Sequence, residues 1–191
     1  MKPKTKPKLL LHTCCAPCSA YVVQLLQEQF AVHAYFYDPN IHPKKEYEKR
    51  LGEMRRWCKD IKLPLTEAPY EIHKWFALTR GHEKDPERGD RCKICYRMRL
   101  EHAVMYAKQH KYQWFTTVLT ISPHKDADAI NAIGNELANK HDIKFFEANF
   151  KKKDGFKKSV ELSKKYNFYR QNWCGCIWSR NTHLLGRRVS K

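Results

Sequence analysis

Seven of the eight cysteines in the chain fall into three clusters: Cys14 and Cys15 with Cys18, Cys92 with Cys95, and Cys174 with Cys176. A structural cysteine behaves as a small hydrophobe and occurs singly, whereas neighbouring thiolates repel unless a metal, a disulfide or a helix N-terminus stabilises them. The clusters therefore read as parts of one site. Cys14, Cys15, Cys92 and Cys95 would make a four-thiolate set, which zinc and iron-sulfur clusters both accept. About seventy residues separate the two pairs, unlike the compact knuckle of a structural zinc site. Adjacent cysteines also chelate one ion poorly but can reach two irons of a polynuclear cluster, so the spacing favours iron-sulfur over zinc. Thiol exchange competes, because Cys15-Ala-Pro-Cys18 is itself a CxxC that follows a strand and opens a helix. That reading leaves Cys14, Cys92, Cys95 and the Cys174-Gly-Cys176 motif without a role. The last motif could form a readily reduced disulfide or bind a metal.

Placing these thiols requires strands that end beside them. Leu9 to Leu11 is wholly apolar, as a strand buried on both faces of a parallel sheet would be, and a helix from Ser19 to Gln29 follows the first cysteines. Val32 to Tyr37 forms the next strand, broken by Asp38-Pro-Asn-Ile-His-Pro43. A helix from Lys44 to Asp60 carries the apolar stripe Tyr47, Leu51, Met54, Trp57 with Cys58, and Ile61, which makes Cys58 a core residue. A short strand is expected near Pro64 to Glu67, and Ala68 to Arg91 has no assignable period. Cys92 and Cys95 open a helix over Lys93 to Lys108, where backbone N–H groups favour thiolate. The β-branched run Phe115 to Ile121 reads as a central strand ended by Ser122-Pro-His-Lys125. Asp126 to Lys140 reads as a helix, Ile143 to Glu147 as a strand and Ser159 to Tyr166 as a short helix.

This alternation predicts a single α/β domain over residues 9–180, doubly wound around a mostly parallel, Rossmann-like sheet. Residues 1–8 would be a flexible basic arm and residues 181–191 a basic tail. Cys14 and Cys15, Asp38 to Pro43 and Ser122 to Lys125 each follow a strand, so they gather at the carboxyl edge, where open α/β sheets bind ligands. With only seven glycines and no glycine-rich phosphate loop, a nucleotide site of the usual kind is not expected.

Lys and Arg number 37 against 20 Asp and Glu, a formal charge of +17. The excess lies in the first eight residues, Lys44 to Lys62, Lys151 to Lys165 and Arg180 to Lys191. It points to a polyanionic partner held by its phosphate backbone. The apolar run after MKPKTKPK is too short for an export signal, and no stretch approaches a membrane span. A reducing cytoplasmic setting follows, where cysteine clusters are metal-binding or catalytic.

Taken together, LLHTCCAPC, FYDPNIHP with Glu46-Tyr47, RCKICYRMRL, FTTVLTISPHK and YRQNWCGCIWS, in that order, resemble the epoxyqueuosine reductase QueH family from Leu9 to Ser179. Asp38 stands where the family's pattern has Asn. The resemblance implies an oxidoreductase acting on tRNA without cobalamin. It would reduce the epoxide of epoxyqueuosine at the wobble position to queuosine, the last step of queuosine biosynthesis. Cys14, Cys15, Cys92 and Cys95 match the ligands of a 4Fe-4S cluster, and Cys174 with Cys176 a redox-active pair. An additional iron ion could draw ligands from Cys174, Cys176, Cys18 or Asp38. The electron donor is unidentified. His12, His42 and His124 are candidate proton donors, His42, His124 and Lys125 candidate substrate contacts, and Tyr37, Tyr169 and Trp173 candidate stacking partners for a base. The alternatives from other classes are a zinc-stabilised RNA-binding module and a thiol-disulfide oxidoreductase using Cys15 and Cys18.

Overall fold

The computed structural model describes residues 6–179. Five parallel strands, β1 (Lys8–Thr13), β2 (Ala31–Phe36), β3 (Leu65–Glu67), β4 (Trp114–Thr117) and β5 (Lys144–Phe145), form one sheet in the order β3-β2-β1-β4-β5. The central strand is β1, whose Leu11 faces Ala34 of β2 on one side and Thr116 of β4 on the other. Buried on both faces, Leu9, Leu10 and Leu11 are apolar without alternation, as a doubly covered parallel strand requires.

The helices are α1 (Ala16–Gln27), α2 (Lys44–Asp60), α3 (Ile72–Leu78), α4 (Asp90–Gln109), α5 (Ala127–His141) and α6 (Gly155–Lys165). Right-handed crossovers in opposite directions from β1 put α1 and α2 on one face and α4 and α5 on the other. Accordingly α1 packs against α2 and α6, and α4 against α5. The strand order therefore reverses between β1 and β4, which opens a crevice beyond their carboxyl ends.

Most expected elements are present, and α2 has the expected limits. The run Phe115 to Ile121 is a correction: β4 stops at Thr117, and Val118–Ile121 turns into a 3-10 helix. The Thr117 hydroxyl accepts from the Leu119 N–H at 3.1 Å and caps that turn, so the apolar, β-branched run records burial beyond the strand's end. The unassigned stretch Ala68 to Arg91 contains α3, and Asp126 caps α5 by accepting from the N–H groups of Asp128 and Ala129. Lys8 opens β1, and Pro7 accepts from the Ala31 N–H at 3.0 Å. Residues 1–5 of the expected arm and the expected tail lie outside the described residues. Among the described residues, no helix is long and apolar enough to cross a membrane.

Candidate functional site

β1 ends at Thr13, and Cys15 takes the extended backbone of the position before α1. The Sγ atoms of Cys14 and Cys15 are 3.7 Å apart, and with Cys18, one turn into α1, they lie within 4.8 Å of one another. The N-terminal turns of α4 bring Cys92 and Cys95 to the same edge. A cavity of about 440 Å³ is lined by Cys14, Cys18, Cys92, Cys95, Cys174 and Cys176. Cys15 is buried beside it, its sulfur 3.0 Å from the amide nitrogen of Gln171. All eight cysteines are free.

Cys174 and Cys176 reach the cavity on a loop held from beneath by α2. Arg50 donates to the carbonyls of Cys174, at 3.1 Å, and Trp173, at 3.3 Å, while Glu46 accepts from its Nε at 2.7 Å. Gly175, whose carbonyl accepts from the His42 N–H at 2.8 Å, has φ +109, and a Cβ there would lie 2.8 Å from Ile41 Cγ1. Only glycine meets both demands.

The cavity's charge balance is set by buried cations. Arg99 ion-pairs with Oδ1 of Asp38 and donates from Nε to Nε2 of His12 at 3.3 Å. The same Nε2 lies 3.2 Å from the Tyr37 carbonyl, and Nδ1 is 2.8 Å from the Thr117 hydroxyl. Burial and the adjacent guanidinium lower the His12 pKa to about 3, so the ring is neutral and orients Arg99. Burial raises Asp38 to about 7 against the pull of Arg99, and its buried Oδ2 has no hydrogen-bond partner.

The thiols shift in opposite directions. Hydrogen bonds from Cys14 and Cys18 hold Cys15 well below the usual thiol range and push those two upward. A hydrogen bond from Cys176, then the charge of Lys125, lowers Cys174 to about 5 and leaves Cys176 raised. Against the cost of burial, the negative charge of Cys174 raises the Lys125 ammonium. Burial raises Cys92 and Cys95. The site thus holds thiolate beside fixed positive charge, the donor form that metals bind.

The remaining sequence candidates separate. Lys125 and His124 line the cavity, His124 on its exposed side. His42 is buried elsewhere, its ring 4.8 Å from that of Trp75 and 4.9 Å from that of Phe76. Tyr37 stacks on His102 and donates to Glu71 inside the fold. Tyr169 lies under the Lys49 ammonium and donates to Glu46, whereas Trp173 lines the cavity beside Arg50. Cys58 is buried in the core on α2.

Sequence reasoning missed Arg50 and Arg99, although both left a signal. Arg99 follows Cys95 by four residues on one helix and so shares its face, while Arg50 sits three after Tyr47 and four before Met54, a charge inside an apolar stripe. Arg91, which lines the cavity, and Gln171 carried no comparable mark.

The donor set fits an iron-sulfur centre. Thiols from three segments surround one cavity, and a four-thiolate cluster, net negative, would meet Arg99, Arg50 and Lys125. The family model described as epoxyqueuosine reductase QueH matches residues 9–182. Similar proteins of that name include one from Haemophilus influenzae, 43% identical over 90% of this chain and 71% of its own length. Another from Thermotoga maritima is 36% identical over 94% of this chain and 92% of its own. Among solved structures, the U34-tRNA thiolase NcsA from Methanococcus maripaludis with its [4Fe-4S] cluster shares the fold at TM-score 0.59 and 13% identity, covering 98% of this chain and 69% of its own. The chain belongs to the epoxyqueuosine reductase QueH family.

Proposed function

We propose that the chain reduces epoxyqueuosine at the wobble position of tRNA to queuosine in the cytoplasm, with a 4Fe-4S cluster held by Cys14, Cys15, Cys92 and Cys95. The observation that carries this is the convergence of thiols from three distant segments on one cavity, beside buried cations, at the strand-order reversal. In the reaction both epoxide C–O bonds break, a C=C bond forms, and the oxygen leaves as water after gaining two electrons and two protons. When bound, the cluster supplies electron-transfer capacity and Lewis acidity at iron.

The chain's own groups do the rest. Arg50 and Gly175 fix the loop that presents Cys174 and Cys176, and Arg99, positioned by His12 and Asp38, offsets thiolate charge. Ile121 and Trp75, both buried, give the cavity apolar walls that exclude water from the reacting bond. Oxidation of the Cys174–Cys176 dithiol to a disulfide releases two electrons and two protons, the stoichiometry of the deoxygenation, and an external reductant would restore the thiols. Alternatively the pair, with Cys18 or the unpartnered Oδ2 of Asp38, holds an additional iron ion. Lys125 and His124, at the cavity wall, are placed to contact the nucleotide.

The test is anaerobic purification, iron, sulfide and zinc analysis, and turnover of tRNA carrying epoxyqueuosine with a chemical reductant. About four irons with matching sulfide, together with formation of queuosine, is the expected result. Iron in excess of sulfide, lost in Cys174→Ser, assigns the pair to the additional ion. A zinc protein without turnover overturns the reading. Thiol exchange is distinguished by Cys92→Ala, which abolishes turnover here and leaves exchange by Cys15 and Cys18 untouched.

A further inference from the structure

The rims of the cavity differ in charge. On the side of α4, Glu83 to Arg91 carries four acids against three bases, whereas on the side of α6, Lys151 to Lys158 carries five lysines against Asp154 alone. Among the described residues, none of those five lysines forms an ion pair, while Arg50, Arg55 and Arg56 of the other central basic run pair with Glu46, Glu67, Glu53 and Asp60. Lys44, Lys45, Lys49, Lys59 and Lys62 of that run likewise pair with no acid among the described residues, so position separates the two runs: the Lys151 to Lys158 run carries exposed Phe156 into the cavity lining, whereas the other run contributes only Arg50, which is buried and paired.

The lysine-rich turn is built against the cavity. Lys151 donates to the Lys125 carbonyl at 3.2 Å, and Ser159 of α6 lines the cavity while donating to Pro17 at 2.6 Å. Gly155 lets the turn close on the Phe150 carbonyl, since a Cβ there would lie 1.8 Å from that oxygen. The same turn holds Phe156 at the mouth, 37% exposed, with the Arg170 guanidinium 5.9 Å from its ring centroid. An exposed aromatic face among unpaired cations, open to a reactive cavity, suits a polyanion whose bases are unstacked, since a duplex has no free base face to offer.

We propose that the rim formed by Lys151 to Lys158 and Arg170 is the docking surface for single-stranded loop RNA, with Lys152, Lys153 and Lys157 on the phosphates and Phe156 stacked on a loop base beside the nucleoside entering the cavity. The proposal rests on the tRNA substrate assigned above and names the surface that holds it. The opposite rim, net acidic, faces away from the backbone.

The experiment measures binding of a fluorescent anticodon stem-loop RNA to the full chain across a salt series. In Lys152→Glu/Lys153→Glu/Lys157→Glu, affinity should fall at least about tenfold near 0.1 M salt, and the log-log salt slope should drop by roughly 2, at about 0.7–0.9 per phosphate. The same three positions changed to Gln should lower the slope equally, which guards against misfolding of the reversal variant. Lys59→Glu/Lys62→Glu/Lys111→Glu removes the same charge at the far edge of the sheet and should stay within about twofold of the parent. Phe156→Ala should lose about tenfold with an unchanged slope, and only for RNA with an unpaired loop. Equal losses from the two triple variants, an unchanged slope in the first, or full affinity in Phe156→Ala overturns the proposal. Stem-loop binding through this rim without epoxide turnover would instead overturn the assigned reaction and leave the surface standing. Parental KM for tRNA in the rim variant would do the reverse.

Discussion

Leu9, Leu10 and Leu11 at the start of β1 and His12, Thr13, Cys14 and Cys15 at its end are all buried, yet the two halves of the strand sit in different surroundings. Across the sheet the first half pairs with Val32, Ala34, Trp114 and Phe115, and its polar partners His33 and Thr116 carry no ion pair among the described residues. The second half meets Arg99, Asp38 and Lys125, with a carboxylate oxygen left unpaired and thiols shifted in opposite directions. Burial stabilises the first end directly, at about 1.5–3 kcal/mol for each large side chain. At the other end desolvation opposes folding, and only the match of opposite charges offsets it. The difference teaches where function resides: the amino end is optimised for packing, and the carboxyl end holds charge that packing alone would not retain.

The largest expected effect is at the charged end. Arg99→Met leaves Asp38 buried without its counter-ion, and urea denaturation should show a loss of about 3–5 kcal/mol. Adding Asp38→Asn should recover part of that loss, because the uncompensated charge goes with it, while the iron content stays below the parent's. A loss no greater than that of an exposed substitution would break the contrast between the two ends. Leu10→Ala should cost about 2–5 kcal/mol through the cavity it leaves. Its signature differs, since the folded fraction should keep the parent's iron content and turnover per molecule.

Much of this contrast was legible in the sequence, because both ends write local patterns. The stripe of α2 fixed that helix to its limits, and the uninterrupted Leu9 to Leu11 marked a strand covered on both faces. What failed was local preference where tertiary contact decides. Phe115 to Ile121 looked like one strand, but the Thr117 hydroxyl is taken by His12 and the Leu119 N–H, and the chain turns there. The cysteines announced themselves by clustering. The approach of Gln171 to Cys15 and the grip of Arg50 on the Cys174 carbonyl join residues more than a hundred positions apart, which no window reports.

Gly175 sharpens the comparison, for it serves the site through geometry without charge. Gly175→Ala meets both a positive φ and the Ile41 side chain, so about 1–3 kcal/mol is expected. The loop would relieve this by shifting Cys174 and Cys176. Turnover should therefore fall more than thermal stability does, and the reverse ordering would show that the loop position is not what Gly175 secures.

The smallest effect lies in a half-exposed polar network around Glu71. The Tyr37 hydroxyl donates to Oε2 of Glu71 at 2.5 Å, Lys74 is 3.5 Å from the same oxygen, and His102, stacked on Tyr37, is 3.8 Å away. The Tyr37 hydrogen bond, then the lysine charge, lowers the Glu71 pKa below its ordinary value, while burial lowers that of His102. A folded pKa below the unfolded one gives stability that is present above the unfolded value, about 4.3, and is lost as pH falls through the folded one. Glu71→Gln keeps an oxygen for Tyr37 and removes only the charge, so it should cost at most about 1 kcal/mol at neutral pH. The gap between parent and variant should hold from neutral pH down to the carboxylate range and close below it, with iron content unchanged throughout. A gap that widens on acidification would mean that His102, not Glu71, carries the titration, and that this network too holds a buried charge.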